Sequence, residues 1–254
     1  MLCAKQKSTG EIIEAYFASK SNAPFFCPEC GDEVILKVGT EKVNYFAHIN
    51  PLVCRYDAGE SEAHRQCKLE IYHALLQQPN VEKAAMERPL GSNRPDVSAY
   101  INGVPVAVEI QISSLSIETL KFRTMEYARK GIYVLWLLLW KPELDHVSYV
   151  PRLWEKWVHA AYFGRAYYWI SDLTVVSYHF ETQLKYVPRK TWYSESGQKM
   201  KAGGYARRSK RHRSAIRGRT LNLAADFAPR HRDVWQSNEF AIPPAKIYMQ
   251  TSQW

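Results

Sequence analysis

Two carboxylates in this 254-residue chain are placed to share a cation. Asn102-Gly103 is a strong two-residue hairpin signal, because both positions tolerate the left-handed backbone that a tight turn demands. A loop of that length sets Ile101 opposite Val104 and, counting outward, Asp96 opposite Glu109. Facing Cβ atoms in such a ladder lie about 5 Å apart, where like charges repel. Alternation puts Val106, Val108, Ile110 and Ile112 on one face of the second strand, and Ala107, Glu109 and Gln111 on the other. Asp96, Glu109 and Gln111 thus cluster on one side of an otherwise apolar hairpin. Two facing acids need a shared proton or a cation, and an all-oxygen pair suits a hard ion such as Mg²⁺ or Mn²⁺, which activates water for phosphodiester attack. The same spacing also fits an amphipathic hairpin with both acids in solvent.

The helix expected upstream narrows that choice. Ser61 is a good N-cap, the apolar pattern runs through Ala63, Cys67, Ile71, Ala74 and Leu75, and Pro79 stops it. His64, Lys68, Ile71 and Leu75 share a narrow arc, so the inward stripe begins with two ionisable groups. A buried lysine needs a partner, and the Asp96/Glu109 pair is the expected one.

A second constellation precedes the helix. Cys27-Pro28-Glu29-Cys30 forms a CxxC knuckle, with His48 and Cys54 downstream. Four sulfur and nitrogen donors are the ligand set of structural Zn²⁺. Cys27 and Cys30 are the firm members; Cys3 or Cys67 could replace His48 or Cys54. Without a secretory signal in the polar stretch Met1–Gly10, the expected compartment is the cytoplasm, where CxxC reads as metal binding rather than as a disulfide. The longest apolar run, Ile132–Trp140, is too short to span a bilayer and reads as a central strand.

Charge is also localised. The formal net charge is +9, and nine Lys/Arg residues with no acid lie between Lys199 and Arg219, so the remaining cations balance the 25 acids. Arg207, Arg208, Lys210, Arg211, Arg213, Arg217 and Arg219 suit polyanion binding by counterion release. The segment has few apolar anchors and is expected to be a flexible tail.

Arg94-Pro95-Asp96-Val97 followed by Glu109-Ile110-Gln111 resembles the signature of the PD-(D/E)xK nuclease superfamily. Together with Ser61-Glu62-Ala63-His64 and Lys68, the Cys27/Cys30 knuckle and Phe46-Ala47-His48, it resembles the competence protein CoiA-like family over residues 1–190. The resemblance implies a restriction-endonuclease-like three-layer α/β core with a mixed sheet, and metal-dependent DNA cleavage linked to uptake or recombination. It makes Asp96 and Glu109 the metal carboxylates, adds His64, Lys68 and Gln111 to the catalytic set, and makes Arg123 and Tyr127 nucleic-acid contacts. Gln111 stands where the superfamily usually carries lysine and cannot bear positive charge. Lys68 could supply that charge. The departure also leaves open a non-cleaving DNA-binding accessory that recruits a helicase or recombinase.

The elements that must position these residues follow from pattern. Strands are expected at Val81–Arg88, Asp96–Ile101, Val104–Ile112, Ile132–Leu139, Tyr167–Val175 and His179–Val187, and helices at Ile117–Lys130 and Leu153–Phe163. The expected divisions are a β-rich zinc segment (1–57), a nuclease core (58–150), a helix and strands packed on it (151–192), and the basic tail (193–254).

Overall fold

Alternating burial builds the first sheet. Strands β1 (Cys3–Gln6), β2 (Ile12–Glu14), β3 (Phe25–Phe26), β4 (Glu33–Lys37) and β5 (Tyr45–His48) pair antiparallel in the order β2-β1-β3-β4-β5. The computed structural model describes residues 1–50, 54, 60–112 and 115–251. Val34 and Leu36 of β4 join Met1, Ala4, Phe25, Cys27, Phe46 and Cys54 in a small core. Leu2 and Cys3 instead enter the main core, so the first strand is stitched into both.

The main sheet is mixed. Helix α1 (Glu62–Leu76) is capped by Ser61, whose Oγ accepts from the His64 amide at 3.3 Å. It leads to β6 (Val81–Met86), β7 (Val97–Ile101) and β8 (Val104–Gln111). Asn102 and Gly103 take φ of 51° and 75°, and β7 pairs with β8 in the register Val97↔Val108 through Ile101↔Val104. The hairpin register deduced from the turn is the observed one. Helix α2 (Ile117–Arg129) then returns the chain to β9 (Tyr133–Leu139), parallel to β8 and buried along most of its length. Helix α3 (Leu153–Ala161) precedes β10 (Ala166–Ser171), again parallel to β9, and β11 (Thr174–Val187). The turn between these last two falls at Asp172-Leu173, earlier than the pattern placed it.

The expected flexible tail is instead strand-rich. After β12 (Lys190–Tyr193) and β13 (Lys199–Ala202), β14 (Tyr205–Asn222) pairs with β11 over most of its 18 residues. Then come β15 (Phe227–Arg232), β16 (Trp235–Gln236), β17 (Ala241–Ile242) and β18 (Ala245–Gln250). β18 pairs with β15 and touches β9 at Ile247↔Val134, packing Ile247, Tyr248 and Met249 into the core. A ladder is made by backbone groups, and a run of exposed cations does not prevent it. The large sheet therefore runs β14-β11-β10-β9-β8-β7-β6. Among the described residues no helix is long and apolar enough to cross a membrane.

One contact between α3 and β11 is sensitive to pH. The Phe180 amide donates to His159 Nε2 at 3.0 Å, which fixes that nitrogen as an acceptor, and the ring stacks on Phe180. Burial, then the charges of His179 and Arg213, push His159 down to about 3. Its folded pKa lies below the unfolded value of about 6.5, so its contribution is whole above that pH and falls as pH drops toward 3, by at most about 1.4 kcal/mol per unit. We predict that urea midpoints fall more between pH 7.5 and pH 5 for the wild type than for His159→Gln, which keeps an acceptor without a titrating ring. Equal losses would reject this.

Candidate metal-dependent site

Register and helix packing bring the sequence-singled residues together at the mouth of the β7–β8 hairpin. Continuing the register one residue beyond β7 sets Asp96 against Glu109. Asp96 Oδ2 accepts from the Ile110 amide at 2.8 Å and lies 3.2 Å from His64 Nε2. His64 Nδ1 lies 3.4 Å from Glu60, and Glu60, His64 and Asp96 offer three ligand atoms all within 4.8 Å of one another. His64 Nε2 is buried and, although at ion-pair distance from Asp96, makes no aligned hydrogen bond.

Glu109 is buried in the middle of the sheet, and its Oε1 accepts from both Arg123 and Tyr127. Tyr127 is fully buried. Its expected role as a nucleic-acid contact is corrected accordingly, because the hydroxyl is committed to Glu109. Arg123 is partly exposed and also reaches the Arg94 carbonyl at 3.4 Å. Gln111 is buried at the end of β8, opposite Leu138.

The two acids are driven apart electrostatically. Burial would raise Asp96, but the charges of His64 and Lys68 and the Ile110 amide hold it down to about 2. Burial raises Glu109 to about 7, with the Asp96 charge adding to the rise and Arg123 and Tyr127 opposing it. Burial pulls His64 down, yet Asp96 and Glu60 outweigh it and lift the ring above its ordinary value.

Lys68 points inward as its helical position required, but its principal partners are not those expected. Its Nζ pairs with Glu87 at 2.5 Å and with Glu60, and stands 3.8 Å from Asp96. Glu87 also accepts from Arg94 Nη2 at 2.6 Å and from the Leu2 and Cys3 amides at 3.0 and 3.3 Å. Burial is outweighed there by Lys68 and Arg94, which hold Glu87 far below the usual carboxylate range.

The Cys/His constellation also assembles. Ligand atoms of Cys27, Cys30, His48 and Cys54 lie within 4.8 Å of one another, with Cys30 Sγ 3.3 Å from His48 Nε2. Cys3 and Cys67, the alternative ligands, are buried and stand outside this group, in the main core. Burial, then the Cys27 and Cys54 sulfurs, push Cys30 up to about 12 against a lowering contribution from the Asp32 backbone. Three sulfurs and an imidazole gathered this closely are a donor set suited to a soft or borderline metal.

Comparison with known proteins gives this arrangement a family. Residues 60–150 match the family described as competence protein CoiA, nuclease-like domain, and residues 7–57 match competence protein CoiA, N-terminal domain. This chain belongs to the CoiA-like family. Competence protein CoiA of Bacillus subtilis (strain 168) is 32% identical over 115 residues, which cover 45% of this chain and 31% of that protein. No solved structure matches the chain. The CoiA nuclease-like match contains the Glu60, His64 and Asp96 group and Glu109 with its two donors; the CoiA N-terminal match contains the four Cys/His residues. The basic strand β14 lies beyond both.

Sequence reasoning missed Glu60 and Glu87. No local signal pointed to them, since they meet Lys68 and Arg94 only through tertiary folding. Glu87 has φ of 49°, a left-handed conformation uncommon outside glycine and costly unless the surroundings enforce it. Glu87→Gln would leave Arg94 facing a neutral amide and Lys68 with Glu60 as its remaining close partner. We predict a loss of about 3–5 kcal/mol in urea unfolding at pH 7; a loss below about 1 kcal/mol would show that this network does not anchor the fold.

Proposed function

We propose that this protein is a divalent-metal-dependent nuclease acting on DNA. The observation that carries the reading is the convergence of Asp96 and Glu109 across the hairpin, beside the imidazole of His64. The donor atoms already gathered are those of Glu60, His64 and Asp96, with one imidazole nitrogen left without an aligned hydrogen bond; Glu109, raised to about 7, lies outside that group and would join it from across the hairpin. A divalent ion would remove the cost of charging Glu109 beside Asp96.

In this reading Asp96, Glu109 and His64 hold Mg²⁺ or Mn²⁺, which when bound polarises water and neutralises charge at phosphorus. Arg123 and Tyr127 orient Glu109 by donating to one of its oxygens. Lys68 keeps a positive charge near Asp96 where Gln111 supplies none, and the pull of Glu87 and Glu60 fixes its position. Exposed cations on β14 gather the substrate.

Isosteric variants test the chemistry. Plasmid and single-stranded DNA incubated with Mg²⁺ or Mn²⁺ should be cut by the wild type, with Asp96→Asn and Glu109→Gln each slower by about a hundredfold or more. Gln111 favours one alternative, a DNA-binding recombination accessory that recruits a helicase or recombinase. Persistent binding with no cleavage by any of the proteins would select it.

For the Cys27, Cys30, His48 and Cys54 cluster the fitting ion is Zn²⁺, with a structural role in a small core. Elemental analysis of untagged protein should give about one zinc per chain, and Cys27→Ser should lose it. Less than half an equivalent in the wild type would exclude the assignment.

A further inference from the structure

The distal parts of β11 and β14 stand clear of the body of the protein. No residue from Glu181 to Thr220 is buried. Between Gln183 and Arg213 the chain carries ten Lys/Arg residues and one acid, Glu195. Paired in the ladder are Leu184↔Arg208, Lys185↔Arg207, Tyr186↔Ala206 and Val187↔Tyr205. Each face of the ribbon thus mixes cations with large apolar groups. Leu184, Tyr186 and Tyr205 are 70%, 62% and 55% exposed, and Trp192 and Tyr193 continue the series in the second hairpin. The two hairpins join through Pro188-Arg189 on one strand and Gly203-Gly204 on the other. Both glycines have positive φ, and a Cβ at Gly203 would meet the Pro188 carbonyl oxygen at 2.1 Å.

One irregularity sharpens the picture. Pairing jumps from Thr182↔Arg213 to Leu184↔Arg208, so Ser209–His212 bulge out opposite Gln183. Arg213 ties the bulge from within, its Nη1 donating to the Ser209 carbonyl at 3.0 Å, while Lys210 and Arg211 remain exposed. Lysines and arginines alone would be explained as protection of an edge strand against aggregation. Exposed tyrosines, a tryptophan and a leucine alternating with them would not, since they make an edge stickier.

We propose that this projecting two-stranded ribbon binds duplex DNA by entering its major groove, with Lys185, Arg207, Arg208, Lys210 and Arg211 on the flanking phosphates and the apolar side chains toward the base edges. The proposal rests on DNA being the substrate but not on cleavage. Charge selects a polyanion over a protein partner or a second copy of this basic chain. Dimension selects the duplex: a major groove about 12 Å wide admits a two-stranded ribbon, whereas the deep, narrow major groove of duplex RNA does not.

Fluorescence anisotropy of the full chain, without added divalent cation, tests the ribbon apart from the chemistry. The probes are a 30-base-pair DNA duplex, its single strand, the duplex RNA of the same sequence, and a DNA duplex whose cytosines carry bulky glucosylated hydroxymethyl groups in the major groove. The unmodified DNA duplex should bind at least about tenfold more tightly than the other three. Arg207→Gln/Arg208→Gln/Lys210→Gln/Arg211→Gln should lose at least about tenfold and lower the log Kd against log salt slope by about 3 to 4. Equal binding of blocked and unblocked duplexes, or of RNA and DNA duplexes, overturns the proposal without using a variant. An unchanged salt slope in the fourfold variant overturns it as well. Loss of cleavage in the hairpin variants leaves these results untouched, so the two readings fail separately.

Discussion

Lys68 and Arg94 lie inside this protein, and one carboxylate, Glu87, pairs with both while accepting two amides from the start of the chain; Glu60 supplies the second charge beside Lys68. Removing two charges from water costs several kcal/mol per ion, which only close pairing can offset. Glu87 achieves it from the end of β6, in a left-handed conformation whose amide also donates to the Asp96 carbonyl at 3.0 Å. The N-terminal sheet, α1 and the turn into β7 are thereby tied to one residue. Lys68 stays charged, Arg94 stays folded back, and Asp96 is delivered to the mouth of the hairpin as a consequence.

Against that frame, the buried acids separate by what they lack. Glu155 accepts from Tyr149, Tyr168, Lys141 and the Arg152 amide, which caps α3 and leaves no electrostatic debt. Glu87 is equally satisfied. Glu109 has two donors on one oxygen, yet burial and its facing acid still raise it to about 7, while Asp96 rests at about 2. Two carboxylates opposite one another whose environments force them this far apart are what the proposed site rests on.

The hairpin was legible because its physics is local: Asn102-Gly103 fixes the turn, the turn fixes the register, and the register fixes the facing of 96 and 109. The same holds for the Cys27/Cys30 knuckle and for the inward pointing of Lys68, whereas the choice of His48 and Cys54 over Cys3 and Cys67 needed the tertiary fold. The partners of Lys68 were not legible, because Glu60 and Glu87 reach it through tertiary folding that no local period encodes. The strands of the basic segment were hidden for a different reason. Cations and glycines argue against a packed core, but β14 needs none, since the exposed edge of β11 supplies its hydrogen bonds. Tyr127 was misassigned because a hydroxyl serves equally well on a phosphate or on a buried carboxylate, and only its zero exposure decides between them.

A single rigid sheet also determines how capture and chemistry relate. β8, which carries Glu109, and β11, which founds the ribbon, are separated by β9 and β10 alone. Three strand spacings amount to roughly 14 Å across the sheet, and the register sets Glu109 level with Tyr178, so Lys185 lies about 23 Å farther along β11 and roughly 27 Å away in all, still within the 34 Å turn of a duplex. Both neighbours of β9 along that path are parallel to it and buried, the arrangement least able to slip in register. A duplex held by the base of the ribbon would therefore lie within one helical turn of the acidic pair, with no hinge required between them among the strands that connect the two. The residues proposed to grip and the residues proposed to cut belong to the same sheet, and its register sets the distance between them.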